Sequence, residues 1–341
     1  LTPDNVSPRG KKAAELDKML EAGALAFKAF MTFTWEIPRL DDGLLLTAFE
    51  RLAKSGVPVG VHSENAEIVR YMEDHYKSLG REDPIVHAEA RPELAEVEAV
   101  GKVLELARGT GAQAHLVHLS VPEAVDLVAE ARSRWGLNAT AETCHHYLTL
   151  TSEALTELGP YAKCNPPLRS RRCVEGMWER LRLGCLDNIG SDHGPFTREE
   201  KEKESFWDVP AGLTGIQVMV PLVITEARRR GVPLETVVRL CSSNPARIFH
   251  IYPQKGAIAP GSDGDLVLVD VRGEWPVTAR ELYSKEKWTP HEGWTLTARV
   301  KRTLVRGRTV YKDTPDGGRI VAEAGSGRFV RPVRQSRSGK G

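Results

Sequence analysis

Short apolar runs alternate with longer amphipathic stretches through the first 250 residues of the chain. GALAFKAFMTF (residues 23–33), VPVGVHS (57–63), AQAHLVHLS (112–120), LNATAETC (137–144) and DNIGSD (187–192) are brief, largely apolar and flanked by turn residues. That pattern predicts strands. Between them, KKAAELDKMLEAG (11–23), DDGLLLTAFERLAKSG (41–56), NAEIVRYMEDHYKSLG (65–80), PELAEVEAVGKVLELARGTG (92–111), VPEAVDLVAEARSRWG (121–136) and SRRCVEGMWERLRLG (170–184) carry helical spacing. Most close on glycine, and one has proline in its first turn. Helices are also predicted in LTGIQVMVPLVITEARRRG (213–231) and PLETVVRLCSSNPARIFH (233–250).

Strands that alternate with helices predict βα units and a parallel sheet. No glycine-rich phosphate loop follows any strand, which disfavours a nucleotide-binding sheet. Polar residues stand instead at the carboxyl ends of successive strands, where a (β/α)8 barrel keeps its chemistry. The expected architecture is therefore α/β, with a TIM-type barrel portion over residues 1–252. Beyond Tyr252 the chain turns β-rich, and a small β domain is expected over residues 253–320. The basic, apolar-poor stretch 321–341 is expected to be a disordered tail.

Composition narrows the function. The chain has 341 residues, a formal net charge of +1 and 41% hydrophobic content. That balance gives no reason to expect nucleic acid or a membrane surface as partner. No apolar run is long enough to span a bilayer, and no signal-peptide pattern opens the chain. Five scattered cysteines without a CxxC pair fit a reducing, cytoplasmic setting.

Lys28, His62, His118 and Asp192 each end a predicted strand. Singly, each has an ordinary reading: a histidine that packs, an aspartate that caps a helix, a lysine that snorkels. Together they would converge on one barrel mouth. Nitrogen and oxygen donors around an open position suit a hydrolytic zinc site.

The motifs FKAFM, VHSENAEIV, HLVHLS, AETCHHYL, KCNPPLR and GSDHGPF occur in this order, followed by KGAIAPGSDGDLVLVD. They resemble those of the cyclic amidohydrolases, which include allantoinase, hydantoinase/dihydropyrimidinase and dihydroorotase, over residues 23–313. The resemblance implies that Lys28 is carboxylated and bridges two divalent metal ions, with zinc the default expectation. It also implies that His62 and His118 bind the more exposed ion. Asp192 would bind the other and act as general base. Asn165, His146 and Gly194 match positions around the substrate, His193 would support the ligands, and His115 and His145 would pack. A homotetramer is the family habit.

Two departures matter. The family's His-x-His pair on the first strand has no counterpart among the ten histidines. The lysine belongs to the fourth strand, so strands 4–8 are expected here, with the first strands and part of the β-sandwich missing. Because the chain opens on Leu1, a partial sequence is the preferred expectation over a non-catalytic scaffold. Second, Phe33 stands where hydantoinases and dihydropyrimidinases carry a tyrosine. ETCHHYL, KCNPPLR and the loop IPRLDDG look closest to allantoinase, so the expected reaction is hydrolysis of a cyclic amide, allantoin first. Hydantoinase-like activity and dihydroorotase follow in that order.

Overall fold

A computed structural model describes residues 13–33, 37, 39–315 and 317–332. Five strands form one parallel sheet in sequence order: β1 (Phe27–Phe30), β2 (Val59–His62), β3 (Ala114–Leu116), β4 (Ala139–Cys144) and β5 (Asn188–Gly190). These are the five strands that the alternation of apolar runs predicts.

The sheet's two faces follow from its register. Lys28 pairs with Gly60, Gly60 with His115 and His115 with Thr140. Phe30 pairs with His62, and Glu142 with Asn188. Side chains two apart on a strand share a face, so Lys28, His62, His115, Glu142 and Asn188 look into the same concavity. The alternate positions Phe27, Ala29, Val59, Val61, Ala114, Leu116, Ala139, Ala141 and Ile189 are all buried. They pack under the connecting helices, whose core side chains include Phe49, Val103, Val128 and Trp178. Gly60 has a steric reason. A Cβ there would lie 3.2 Å from the Val117 side chain and 3.8 Å from Lys28 Cδ. A larger residue would crowd the lysine stem that crosses above it.

Helix starts are chemically marked. Asp41 accepts a hydrogen bond from Leu44 N at 2.8 Å to open the helix Asp42–Ala53. Asn65 accepts from Glu67 N and Ile68 N at 3.0 and 3.1 Å to open Ala66–Ser78. That second cap fixes the exit of the chain just beyond His62.

The C-terminal part is antiparallel. β6 (Leu266–Asp270), β9 (Arg299–Val305), β10 (Arg308–Thr314) and β11 (Gly317–Ile320) make a sheet of order β11-β10-β9-β6, while β7 (Trp275–Pro276) pairs with β8 (Thr295–Leu296). None of the residues of β6, β9, β10 and β11 is fully buried. Val277, Leu282 and Leu296 instead pack on Val218 and Leu222 of the helix Ile216–Arg229. Residues 321–332 carry no helix or strand, and the rest of the predicted tail, 333–341, lies outside the described residues. No described helix is long and apolar enough to cross a membrane.

One long loop, residues 193–215, runs from the end of β5 to the helix Ile216–Arg229. Two lysines fasten it through backbone carbonyls. Lys163 Nζ donates to Phe206 O (2.6 Å) and Trp207 O (3.2 Å), and Lys201 Nζ donates to Pro210 O (2.8 Å) and Lys163 O (3.3 Å). Burial lowers the Lys201 ammonium to about 7 and that of Lys163 to about 8. The unfolded chain thus holds the Lys201 proton more tightly than the folded one does. From about pH 7 up to the ordinary lysine value, stability contributed by this group rises with pH. Comparing urea midpoints of wild type and Lys201→Met at pH 7 and pH 9 tests this. Wild type should gain on the variant at the higher pH; an unchanged difference would rule out the buried ammonium as the cause.

Candidate active site

Three of the four strand-end residues meet. Lys28 Nζ lies 3.1 Å from His118 Nε2, and His62 Nδ1 lies 3.1 Å from the same nitrogen. The two imidazoles sit edge to face with centroids 4.6 Å apart, and Phe30 stacks on His62 at 5.7 Å. Lys28 is half-buried, while His62 and His118 are buried. His118 Nδ1 is buried with no hydrogen-bond partner.

Asp192 stands at the far edge of this group, two residues beyond β5. It makes no hydrogen bond to the other three, but its charge acts on Lys28. Among the described residues, no three histidine, cysteine, aspartate or glutamate side chains are grouped so as to hold a metal by themselves.

The electrostatics favour neutral nitrogens. Burial lowers the Lys28 ammonium to about 8, against the opposing pull of Asp192 and Glu142. Burial, with Lys28 and His62 adding to it, pushes His118 well below the ordinary imidazole value. His62 is lowered by burial and partly restored by Glu64. Burial raises the Asp192 carboxyl, opposed by Lys28 and His62. Asp192 is nevertheless exposed to solvent.

Backbone conformation is unusual at both ends of this set. His118 and Asp192 adopt left-handed φ values of 43° and 41°. Few non-glycine residues do so, histidine and aspartate among the more tolerant. At both positions the strand has just ended, and the left-handed turn redirects the chain.

Asn165 is half-buried with Oδ1 unpartnered. His146 is fully buried with both ring nitrogens unpartnered, packed on Tyr147 and His145. Gly194 N donates to Leu213 O at 2.9 Å, and a Cβ on Gly194 would lie 3.1 Å from Gly212 Cα, leaving little room for serine there. His193 Nδ1 accepts from Gly215 N at 3.2 Å and so braces the start of the next helix. His115 bonds Thr140 Oγ1 at 2.7 Å and packs on Phe249. Phe33 is 54% exposed, with the Arg39 guanidinium 5.1 Å above its ring. An apolar cavity of about 470 Å³ lies elsewhere, between the helix Ile216–Arg229 and the antiparallel sheet. It has none of the clustered donors in its wall.

Two contributors escape a reading of motifs. Glu64 accepts from His62 Nε2 at 2.6 Å and from Arg91 Nη2 at 2.8 Å. Glu142 faces the same concavity, bonds Asn188 and accepts from His118 N at 3.4 Å.

The profile of the Amidohydrolase family matches residues 6–310. The chain belongs to the amidohydrolase family. Allantoinase of Rubrobacter xylanophilus is 38% identical over 95% of this chain and 70% of its own length. L-hydantoinase of Paenarthrobacter aurescens is 33% identical over 93% and 69%. Among solved structures, an L-hydantoinase (dihydropyrimidinase) from Arthrobacter aurescens superposes with a TM-score of 0.91 at 31% identity, covering 97% of this chain and 72% of that one. Dihydropyrimidinase from Brevibacillus agri gives 0.90 at 32%, with 97% and 72% covered. The five-stranded parallel sheet, the separate antiparallel sheets and these neighbours together define the architecture as α/β, a portion of the TIM-type amidohydrolase barrel with a β-rich part. Amidohydrolases are generally metal-dependent.

Proposed function

We propose that this chain hydrolyses the amide C–N bond of a cyclic ureide, with allantoin opened to allantoate as the first substrate. The observation that carries this reading is the convergence of Lys28, His62 and His118 within hydrogen-bond distance, beside Asp192, at the carboxyl ends of the strands. A packing role offers no physical reason to aim a lysine at a buried histidine that itself meets a second one. The relatives named allantoinase and hydantoinase support the reaction class.

The chemistry of the donors suits a divalent ion. His62 and His118 offer imidazole nitrogens, Asp192 a carboxylate, and Lys28 an amine with an unusually large neutral fraction. At about pH 7, an amine of pKa about 8 is neutral in roughly one molecule in ten, against fewer than one in a thousand for ordinary lysine. Addition of that neutral amine to carbon dioxide would form an N–C bond and release a proton, and the resulting Lys28 carbamate would supply anionic oxygen donors for a divalent ion. Zinc is the default metal, and His62, His118, Lys28 and Asp192 would hold it. When bound, such ions acidify water and polarise an amide carbonyl.

Asp192 then has the acid–base work. It accepts a proton from the attacking water and returns it to the ring nitrogen as the C–N bond breaks. Its solvent exposure leaves it accessible to both. Asn165 Oδ1 and the His146 ring are unpartnered polar groups suited to ring N–H and C=O groups of a bound ureide. Phe33 supplies no hydroxyl to the cluster, which weakens the hydantoinase reading and favours allantoin. Turnover of allantoin, hydantoin and dihydroorotate by the metal-loaded protein tests the order. Allantoin should be opened fastest, by about tenfold or more; much faster opening of either competitor would replace it. A homotetramer remains the expected assembly.

A further inference from the structure

We propose that Glu64, clamped by Arg91, is a positioning residue that fixes which nitrogen of His62 carries the proton. The inference rests on the metal-site reading above for its purpose, but its geometry stands alone. Glu64 is fully buried, and Arg91 and His62 are nearly so. Arg91 grips the carboxylate through two of its three nitrogens, Nε to Oε1 at 3.1 Å and Nη2 to Oε2 at 2.8 Å. Its remaining arm, Nη1, reaches Glu73 Oε1 at 3.1 Å. A doubly held carboxylate is an acceptor only. His62 Nε2, 2.6 Å from Oε2, must therefore be the protonated nitrogen of the ring. The lone pair of neutral His62 is left on Nδ1, the atom that faces His118 Nε2 and, through it, Lys28. A ligating histidine needs its free lone pair directed in this way.

The clamp also reaches the second histidine. Arg169 donates from Nη1 to the Arg91 carbonyl, from Nε to Ser120 Oγ at 2.9 Å and from Nη2 to Glu96 Oε2 at 3.2 Å. Glu96 in turn accepts from Ser120 N at 2.8 Å and Val121 N at 3.2 Å. Ser120 lies two residues beyond the left-handed turn at His118. Two buried ion pairs, Arg91–Glu64 and Arg169–Glu96, joined by a hydrogen bond to the Arg91 carbonyl, thus hold the ring of His62 and the segment that carries His118.

The test uses the full chain with 15N-labelled histidine, stripped of metal, and the assigned ring nitrogens of His62. Wild type should show a proton on Nε2 and a bare Nδ1. In Glu64→Gln the side-chain amide can also donate, so the proton should distribute between the two nitrogens. Zinc affinity, measured by chelator competition, should fall tenfold to a hundredfold. Glu64→Asp, which keeps the charge, should restore part of both readouts. A wild-type proton on Nδ1 would overturn the inference, as would Glu64→Gln with unchanged tautomer and zinc affinity. If Glu64→Gln does not fold, the wild-type spectrum still decides. The tautomer readout needs neither metal nor ring substrate. A chain with the expected tautomer that opens no ring keeps this inference and discards the proposed substrate.

Discussion

Lys28→Ala should abolish metal loading and reduce ring opening by at least about 1,000-fold, equivalent to about 4 kcal/mol of transition-state stabilisation. Removing Nζ takes away the atom 3.1 Å from His118 Nε2 and leaves the two imidazoles with no third donor in contact. No neighbour can replace it, because the residue beside it in the sheet is Gly60. The same absence of a side chain leaves room for a small carboxylic acid where the lysine carbamate would lie. Acetate or propionate should therefore recover part of the metal content and part of the turnover. Both are read on one preparation, by elemental analysis and by assay with and without the acid. Full activity in Lys28→Ala would eliminate the carbamate role.

Asp192→Asn should lower kcat by about 100- to 10,000-fold, the usual weight of a general base, with a much smaller change in KM. Metal content measured on the same preparation separates loss of the base from loss of a ligand. Asparagine has nearly the same shape, and it tolerates the left-handed backbone that Asp192 adopts at φ 41°. Loss of activity therefore cannot be ascribed to a collapsed turn, and the melting temperature should stay close to that of wild type. A variant within tenfold of wild type in kcat would remove Asp192 from the proton transfer. A large rise in KM at constant kcat would make it a binding group instead.

Much of this arrangement could be read from residue order, for identifiable reasons. The five strands declared themselves because each is a short apolar run between helical stretches. Lys28, His62 and His118 stood out because strand ends are where a barrel concentrates polar groups. Period-2 alternation also separates Lys28 from its buried neighbours Phe27 and Ala29. Glu64 was visible within VHSENAEIV but had no evident task, because its partner Arg91 lies 27 residues away on a different loop. No local pattern encodes a contact of that range. The anchoring of the long loop by Lys163 and Lys201 was still less legible, since both lysines bond backbone carbonyls, and any residue type presents a carbonyl. His115 and His118 are three residues apart on one segment, and the left-handed turn at His118 helps separate their roles: His115 bonds Thr140, and His118 meets Lys28. Asp192 was legible as a strand-end carboxylate, but its standing apart from the other three was not.

Those two left-handed residues bear on how such a chain changes over generations. A non-glycine residue in that conformation costs on the order of 1 kcal/mol or more, and glycine at either position would relieve it at once. A lineage kept only for its shape would be free to relieve that strain with glycine at 118 and 192, where no imidazole or carboxylate is needed. A lineage kept for turnover could not, because the drift would discard an imidazole and a carboxylate together with the strain. The conformational expense at His118 and Asp192 therefore acts as a slow ratchet, one that readily lets a retired enzyme become a sturdier scaffold and makes the return improbable.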